Sequence, residues 1–154
     1  SDVCSSDLEG WLGALGFGAA AWQVRDRDRF IGWDRAQRQS QLHRVVNNSR
    51  FLLLPWVHCP HLASKVLALS LRRLGADFRE RYGYSPVLVE SFVEEGRFAG
   101  TSYRAANWQC IGRTQGRGKL GQWQDQRLPL KTLWVYPLHS RFRQILTGAT
   151  GAQP

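Results

Sequence analysis

The sequence has no methionine, only three cysteines, and no run close to the ~20 consecutive apolar residues that a membrane-spanning helix requires. The missing runs exclude a chain that crosses a bilayer as a helix. Cys4, Cys59 and Cys110 form no CxxC pair, which excludes a disulfide-rich secreted scaffold and points to a reducing, cytoplasmic compartment. The absence of an initiator methionine marks a fragment or a processed product. Disorder is excluded as well, because 154 residues with 43% hydrophobic and 21% charged side chains can bury the core of one domain. Acidic residues run short in the C-terminal third. Residues 97–143 carry nine Lys or Arg and only Asp125, whereas residues 9–96 carry 12 Lys or Arg against nine Asp or Glu. Arginine makes up 18 of the 21 basic residues, which a GC-rich genome produces as readily as a ligand does. A basic third admits nucleic acid, phosphate-bearing cofactors or an acidic partner and selects none of them. A solvated basic face is the plainest reading.

Residues 1–8, Ser1-Asp2-Val3-Cys4-Ser5-Ser6-Asp7-Leu8, show no apolar period and lack the basic start and apolar core of a signal peptide. They resemble the in-frame translation of a sequencing-adapter oligonucleotide. Cys4 therefore receives no role, and the native part is expected from Glu9, without the first strand and helix of its sheet. One domain over 9–140 and a frayed tail over 141–154 complete the division. Residues 11–24 read as a strand, Arg25-Asp26-Arg27-Asp28 as a charged turn, and 29–33 as a second strand closing a hairpin. Asp34 caps a short helix that runs to Arg44. Asn47-Asn48-Ser49 is turn chemistry that leads into an apolar strand over 51–57, the expected sheet centre. Pro60 opens a helix over 61–74, where Leu62, Val66, Leu67, Leu71 and Leu74 recur at helical spacing. Gly75 ends that segment, and a further helical stretch runs to Tyr82. Residues 86–93 form a strand, 98–106 a short helix, and 108–113 and 131–136 two closing strands around a loop rich in Gly and Arg. The order β-β-α-β-α-β-α-β-β predicts a mixed α/β (α+β) sheet with helices on its faces.

Three constellations invite chemistry. His58-Cys59-x-His61 offers three metal-capable ligands, but the spacing fits no zinc pattern, so no metal is expected. The stretch 112–119 fails as a phosphate-binding Walker loop, with Arg113 where glycine belongs and Leu120 where a hydroxyl belongs. Within it, Arg113, Arg117 and Lys119 sit on flexible glycines between Trp108 and Trp123, an arrangement suited to phosphate contacts with base stacking nearby. A solvated hairpin loop is the alternative. Glu90, near the middle of its strand, is a candidate general base if burial raises its pKa. Otherwise it faces solvent or pairs with an arginine.

Two longer stretches carry a family resemblance. Asn47-Asn48-Ser49-Arg50-Phe51-Leu52-Leu53-Leu54-Pro55-Trp56-Val57 with Pro60-His61-Leu62-Ala63-Ser64 is the first. The second is Pro86-Val87-Leu88-Val89-Glu90-Ser91-Phe92-Val93, continued by Gly100-Thr101-Ser102-Tyr103-Arg104-Ala105-Ala106-Asn107-Trp108 and 112–119. Together, from about Trp11 to Leu138, they resemble the DruA family, a component of the Druantia anti-phage defence system, whose domains also occur beside transposases. The resemblance implies a defence or mobile-element context, with nucleic acid and other defence-system or transposase proteins as partners. At the level of fold the chain also resembles acyl-CoA N-acetyltransferases of the GNAT type. There a central strand feeds a helix whose N-terminal amides grip the cofactor pyrophosphate, which here implies His61, Leu62, Ala63 and Ser64 as cofactor-binding residues. This chain departs from that pattern. His61 and Ala63 replace glycines and Pro60 removes an amide donor, so no cofactor is expected and tight CoA binding least of all. Tyr103, Asn107 and Trp108 keep the spacing of the Tyr, Gly and aromatic residue of GNAT enzymes. The resemblance gives Tyr103 the role of acid toward a departing thiolate, with Glu90 as base; otherwise Tyr103 packs on the sheet with its hydroxyl at the rim. Three readings stand: a DruA-like nucleic-acid module on a GNAT-like scaffold, an N-acyltransferase using acetyl-CoA, and a degenerate GNAT-like scaffold that binds a protein.

Overall fold

A computed structural model describes residues 10–54, 56–57, 59–95, 100–114 and 130–148. Its five strands form one sheet of order β1-β2-β3-β5-β4. The central strand is β3 (Leu88–Glu94), buried on both faces, with Leu88, Val89 and Val93 in the two cores and the polar pair Glu90 and Ser91 buried between them. β2 (Val45–Leu53) lies parallel to it, and β5 (Lys131–Pro137) antiparallel on its other side. β1 (Gly13–Ala19) and β4 (Gln109–Arg113) are the antiparallel outer strands. A parallel pair needs a crossover, which is supplied by α3 (Leu62–Tyr82), whose Leu67, Leu71 and Leu74 form the buried stripe.

Helices cover both faces of the sheet. α3 and α4 (Thr101–Ala105) close one core around Val46, Val89, Val93 and Trp134. α1 (Arg25–Ile31), α2 (Arg35–Gln41) and α5 (Phe142–Thr147) close the other side, where Ile31, Trp33, Phe142 and Leu146 meet Val45, Leu88 and Val135. α4 begins at Gly100 because nothing else fits there. Its φ of 69° is left-handed, and a Cβ would sit 2.5 Å from the Trp134 ring.

The expected sheet, the long helix, the short helix near 101 and the two closing strands are present. Four elements differ. Residues 29–33 are not a strand, because 25–31 coil into α1. Asp28 accepts from the backbone N–H of Val24, Gly32 closes the helix at φ 83°, and Arg27 and Ile31, one turn apart, are the buried face. Asn47-Asn48-Ser49 is not a turn but part of β2, which ends at Leu53 and lies second in the sheet rather than at its centre. Gly75 interrupts nothing; α3 is a continuous 21-residue helix, stopped by Gly83 at φ 80°. The stretch 141–148 is not a frayed tail. Phe142 stacks on Phe30 at 5.6 Å, Gln37 Nε2 donates to the Thr147 carbonyl at 2.7 Å, and Leu146 is fully buried. Asp34 caps α2 as expected, in a reciprocal pair of bonds with Gln37.

Burial of α5 has a measurable consequence. Leu146→Ala should cost about 2–5 kcal/mol of unfolding free energy in a denaturant titration. A frayed tail would show no change.

Candidate functional site

The parallel strands β2 and β3 are hydrogen-bonded only briefly. Val45, Val46 and Asn47 pair with Leu88, Val89 and Glu90; β2 then continues to Leu53 and β3 to Glu94 without further pairing. The cause lies in β2. Gly16 faces Arg50 while Phe17 faces Asn48, so Ser49 is an extra residue, a bulge that turns β2 with β1 and away from β3. The bulge also shifts the alternation of side chains. Asn48 and Phe51 are three positions apart, yet both touch Tyr103 on the same face.

The fork between the strands is closed by Asn48, Ser91 and Tyr103, all less than 9% exposed. Tyr103 donates its hydroxyl proton to Asn48 Oδ1 at 2.7 Å. Ser91 Oγ lies 3.1 Å from the Tyr103 oxygen and 3.0 Å from the Asn48 carbonyl, and donates to one of them at a time. Asn48 Nδ2 donates to the carbonyls of Gly16 and Arg50, the pair that faces each other across the strands just beyond the bulge. Tyr103 packs edge-on against Trp108, with ring centroids 4.9 Å apart, and burial pushes its pKa above the ordinary tyrosine value. Its hydroxyl is thus neither at a rim nor turned toward open space.

Glu90 faces the other way. Neighbouring residues of a strand point to opposite faces, so Ser91 meets Tyr103 under α4 while Glu90 meets α1. There Arg27 Nη1 lies 3.0 Å from Glu90 Oε2 and 3.2 Å from Oε1, and neither side chain has any exposure. The backbone N–H of Ala21 donates to Glu90 Oε1 at 3.0 Å. Burial pushes the Glu90 carboxyl upward in pKa, and the Arg27 guanidinium opposes that rise. Arg27 also donates to the carbonyls of Ala21 and Trp22 and to Asp28, which in turn binds Arg38 at 3.1 Å. Tyr103 and Glu90 are therefore not brought together as an acid and a base, since the sheet lies between them.

At the N-terminus of α3, His61 occupies the N-cap position at φ 61°, the conformation for which glycine is usually required. No side chain caps this end and no acid lies in the first turn. Ser64 Oγ donates back to the His61 carbonyl. From this first turn a groove of about 650 Å³ runs between α3, the end of α4 and the end of β5. Of the proposed cofactor residues, Ser64 lines it. Lys65, Arg72 and His139 line it too, with no carboxylate among the described residues. The sequence reading missed these three. The signal was present, because Lys65 and Arg72 are seven positions apart and share a helix flank.

The proposed nucleic-acid residues fare unevenly. Trp108 is 4% exposed and packed between Tyr103 and Tyr136, which removes it as a base-stacking platform. Arg113 is exposed but engaged, with Nε 2.8 Å from Glu95 Oε1. Arg117, Lys119 and Trp123 lie outside the described residues. Among the described residues no cluster of three or more His, Cys, Asp or Glu could hold a metal, and no helix is long and apolar enough to cross a membrane.

A mixed five-stranded sheet between two helical layers, with a forked parallel pair and a cationic groove beside it, defines a mixed α/β domain. The chain belongs to the DruA family: the sequence profile described as Druantia protein DruA matches residues 3–125. Family membership associates it with anti-phage defence. The match takes in positions 3–8, which the sequence reading set apart as foreign, and stops before β5. No curated protein matches the sequence. Among solved structures, a Sphaerobacter thermophilus protein described as an acetyltransferase is similar at a TM-score of 0.34 and 11% identity, over 61% of this chain and 54% of that one. The chain thus spans about half that protein's length, and a likeness of this size carries no functional argument.

Two outcomes test the polar networks. Arg27→Met strands a buried carboxylate and should cost about 3–5 kcal/mol in chemical denaturation, most of it recovered in the double variant with Glu90→Leu. Tyr103 has its pKa raised by folding, so its contribution to stability is complete below pH ~10 and declines as pH climbs through the folded-state value. Tyr103→Phe should flatten that alkaline decline in a pH series of melting curves.

Proposed function

We propose that this DruA-family domain serves anti-phage defence as a nucleic-acid-binding module, with the groove beside α3 taking the phosphate backbone. The observation that carries this reading is the sign of the groove. Lys65, Arg72 and His139 line it together with the hydroxyls of Ser64 and Ser85, and no acid among the described lining residues opposes them. Lys65 and Arg72 are exposed, so their charge can be exchanged for that of condensed counterions when a phosphate chain docks. Arg79, exposed and on the same flank of α3 as Lys65 and Arg72, extends the basic surface toward the C-terminal end of the helix. A cytoplasmic location and other defence-system or transposase proteins as companions fit such a ligand.

The acyltransferase reading has less support. Its acid and base fall on opposite faces of the sheet, and the proton of Tyr103 is already committed to Asn48. Acyl transfer asks both groups to reach one substrate.

The test is a salt titration of binding to duplex and single-stranded oligonucleotides. Each phosphate contact contributes about −0.9 to the log–log slope on duplex DNA, so Lys65→Ala with Arg72→Ala should flatten it by roughly one to two units. Both side chains are exposed, and the melting temperature should not move. Identical slopes for wild type and variant would remove the groove from the interface.

A further inference from the structure

At the C-terminal end of α3 lies a second hollow, of about 280 Å³, where aromatic rings share the walls with glycine, alanine, leucine and valine from β1, β2 and the turn before β2. Phe78 and Tyr82, four residues apart on α3, share its lining with Tyr84, His43 and Phe17. The rings stand at varied angles around the space. His43 and Tyr84 are 5.0 Å apart and perpendicular, Phe78 and Tyr82 are 5.1 Å apart, and Tyr82 and Tyr84 are 6.3 Å apart at 31°. Tyr82 remains 56% exposed, so a flat apolar face is left in water.

The charge around these rings identifies what they can accept. The Arg81 guanidinium lies 5.7 Å from the Tyr82 ring centroid, and Arg79 is exposed on the same turn. Arg44 stands next to His43, and burial first, then the Arg44 charge, lowers the pKa of His43. Asp77 and Glu80 are the acids of this stretch of α3. Asp77 lies 3.9 Å from Arg73, and helical geometry sends Glu80 about 160° away from Phe78 and Tyr82 around the helix. A box of this polarity repels a cationic ligand. It suits a flat ring carried on an anionic chain. The loop after α3 contributes to both cavities, Tyr84 to the hollow and Ser85 to the groove. Ser85 Oγ donates to the Gly75 carbonyl and fixes the loop between the two.

We propose that this hollow receives an unpaired base of a single-stranded nucleic acid, stacked against Tyr82 and Tyr84, whose backbone runs on into the groove past Ser85. The proposal rests on the nucleic-acid reading and sharpens it to single strands, because a base inside a duplex has both faces covered by its neighbours. Stacking is tolerant of sequence, so the site selects strandedness rather than base identity.

The experiment uses fluorescently labelled oligothymidylate and a duplex of equal length, with the full chain. Tyr82→Ala should weaken single-strand binding roughly 5- to 150-fold, with the salt slope unchanged because no phosphate contact is lost. Tyr82→Phe, which keeps the ring, should bind as wild type does. Tyr84→Leu should weaken binding likewise, and because Tyr82 is exposed its variant carries the test even if Tyr84→Leu fails to fold. Photocrosslinking with 5-iodouracil should mark Tyr82 or Tyr84. Equal affinity of Tyr82→Ala and wild type, with the Lys65/Arg72 variant still flattening the slope, would overturn this inference and leave the groove reading standing. Absence of any oligonucleotide binding by wild type would overturn both. A hollow that binds a tyrosine- or phenylalanine-bearing peptide and no oligonucleotide would belong to a protein partner instead.

Discussion

The side chain of Arg27 is the point on which the layer beneath the sheet depends. It reaches the central strand at Glu90, the carbonyls of Ala21 and Trp22 where the chain leaves β1, and Asp28 of its own helix. Asp28 passes the connection on to Arg38 of α2 and to the Trp33 indole. One guanidinium therefore fixes the exit of β1, the seat of α1 and the angle of α2. The pair with Glu90 is wholly buried, and such pairs are weak contributors to net stability because both ions lose their water. Their value is positional. An apolar pair could fill the same space without telling α1 where along β3 to sit.

Elements with one dominant signal were legible in the sequence. α3 announces itself by leucines at helical spacing, and β5 by an apolar run whose Leu133, Trp134 and Val135 are buried. Reading failed where two signals competed. The stretch Arg29-Phe30-Ile31-Gly32-Trp33 looks like a strand by composition, yet the helix that ends at Gly32 starts from Val24, outside that window. Asn47-Asn48-Ser49 looks like a turn because its side chains can bond to the backbone. In the fold that same ability serves a bulge, with Asn48 satisfying the carbonyls of Gly16 and Arg50. Helix α5 was hidden by the small residues after it, although Phe142 and Leu146 carried its spacing.

Site residues were harder to read, since proximity across elements leaves no local trace. Tyr103 and Glu90 stood out as a candidate acid and base; both are buried, but the parity of β3 separates them, and that follows only once Ser91 is known to face α4. The basic charge of the chain drew attention to 113–119, where the one described cation, Arg113, already holds Glu95. The basic side chains and the histidine that line a concave surface are on α3 and after β5. Their spacing along the helix was visible, whereas the arrival of His139 from the far end of the sheet was not.

Ser49 gives β2 a property that its neighbours lack. Every residue after it faces the side opposite to the one that counting from Val45 would assign. The strand is in effect written in two phases, and a single serine marks the junction. Deleting Ser49 would close the ladder without inverting it, because Asn48 and Phe51 would then stand two apart and Phe51 would keep both its partner Leu15 and its side toward Tyr103. The inversion comes from the opposite change. A strand that kept Ser49 but took it into the regular ladder would turn Phe51 away, and Leu52, now 54% exposed, would turn inward in its place.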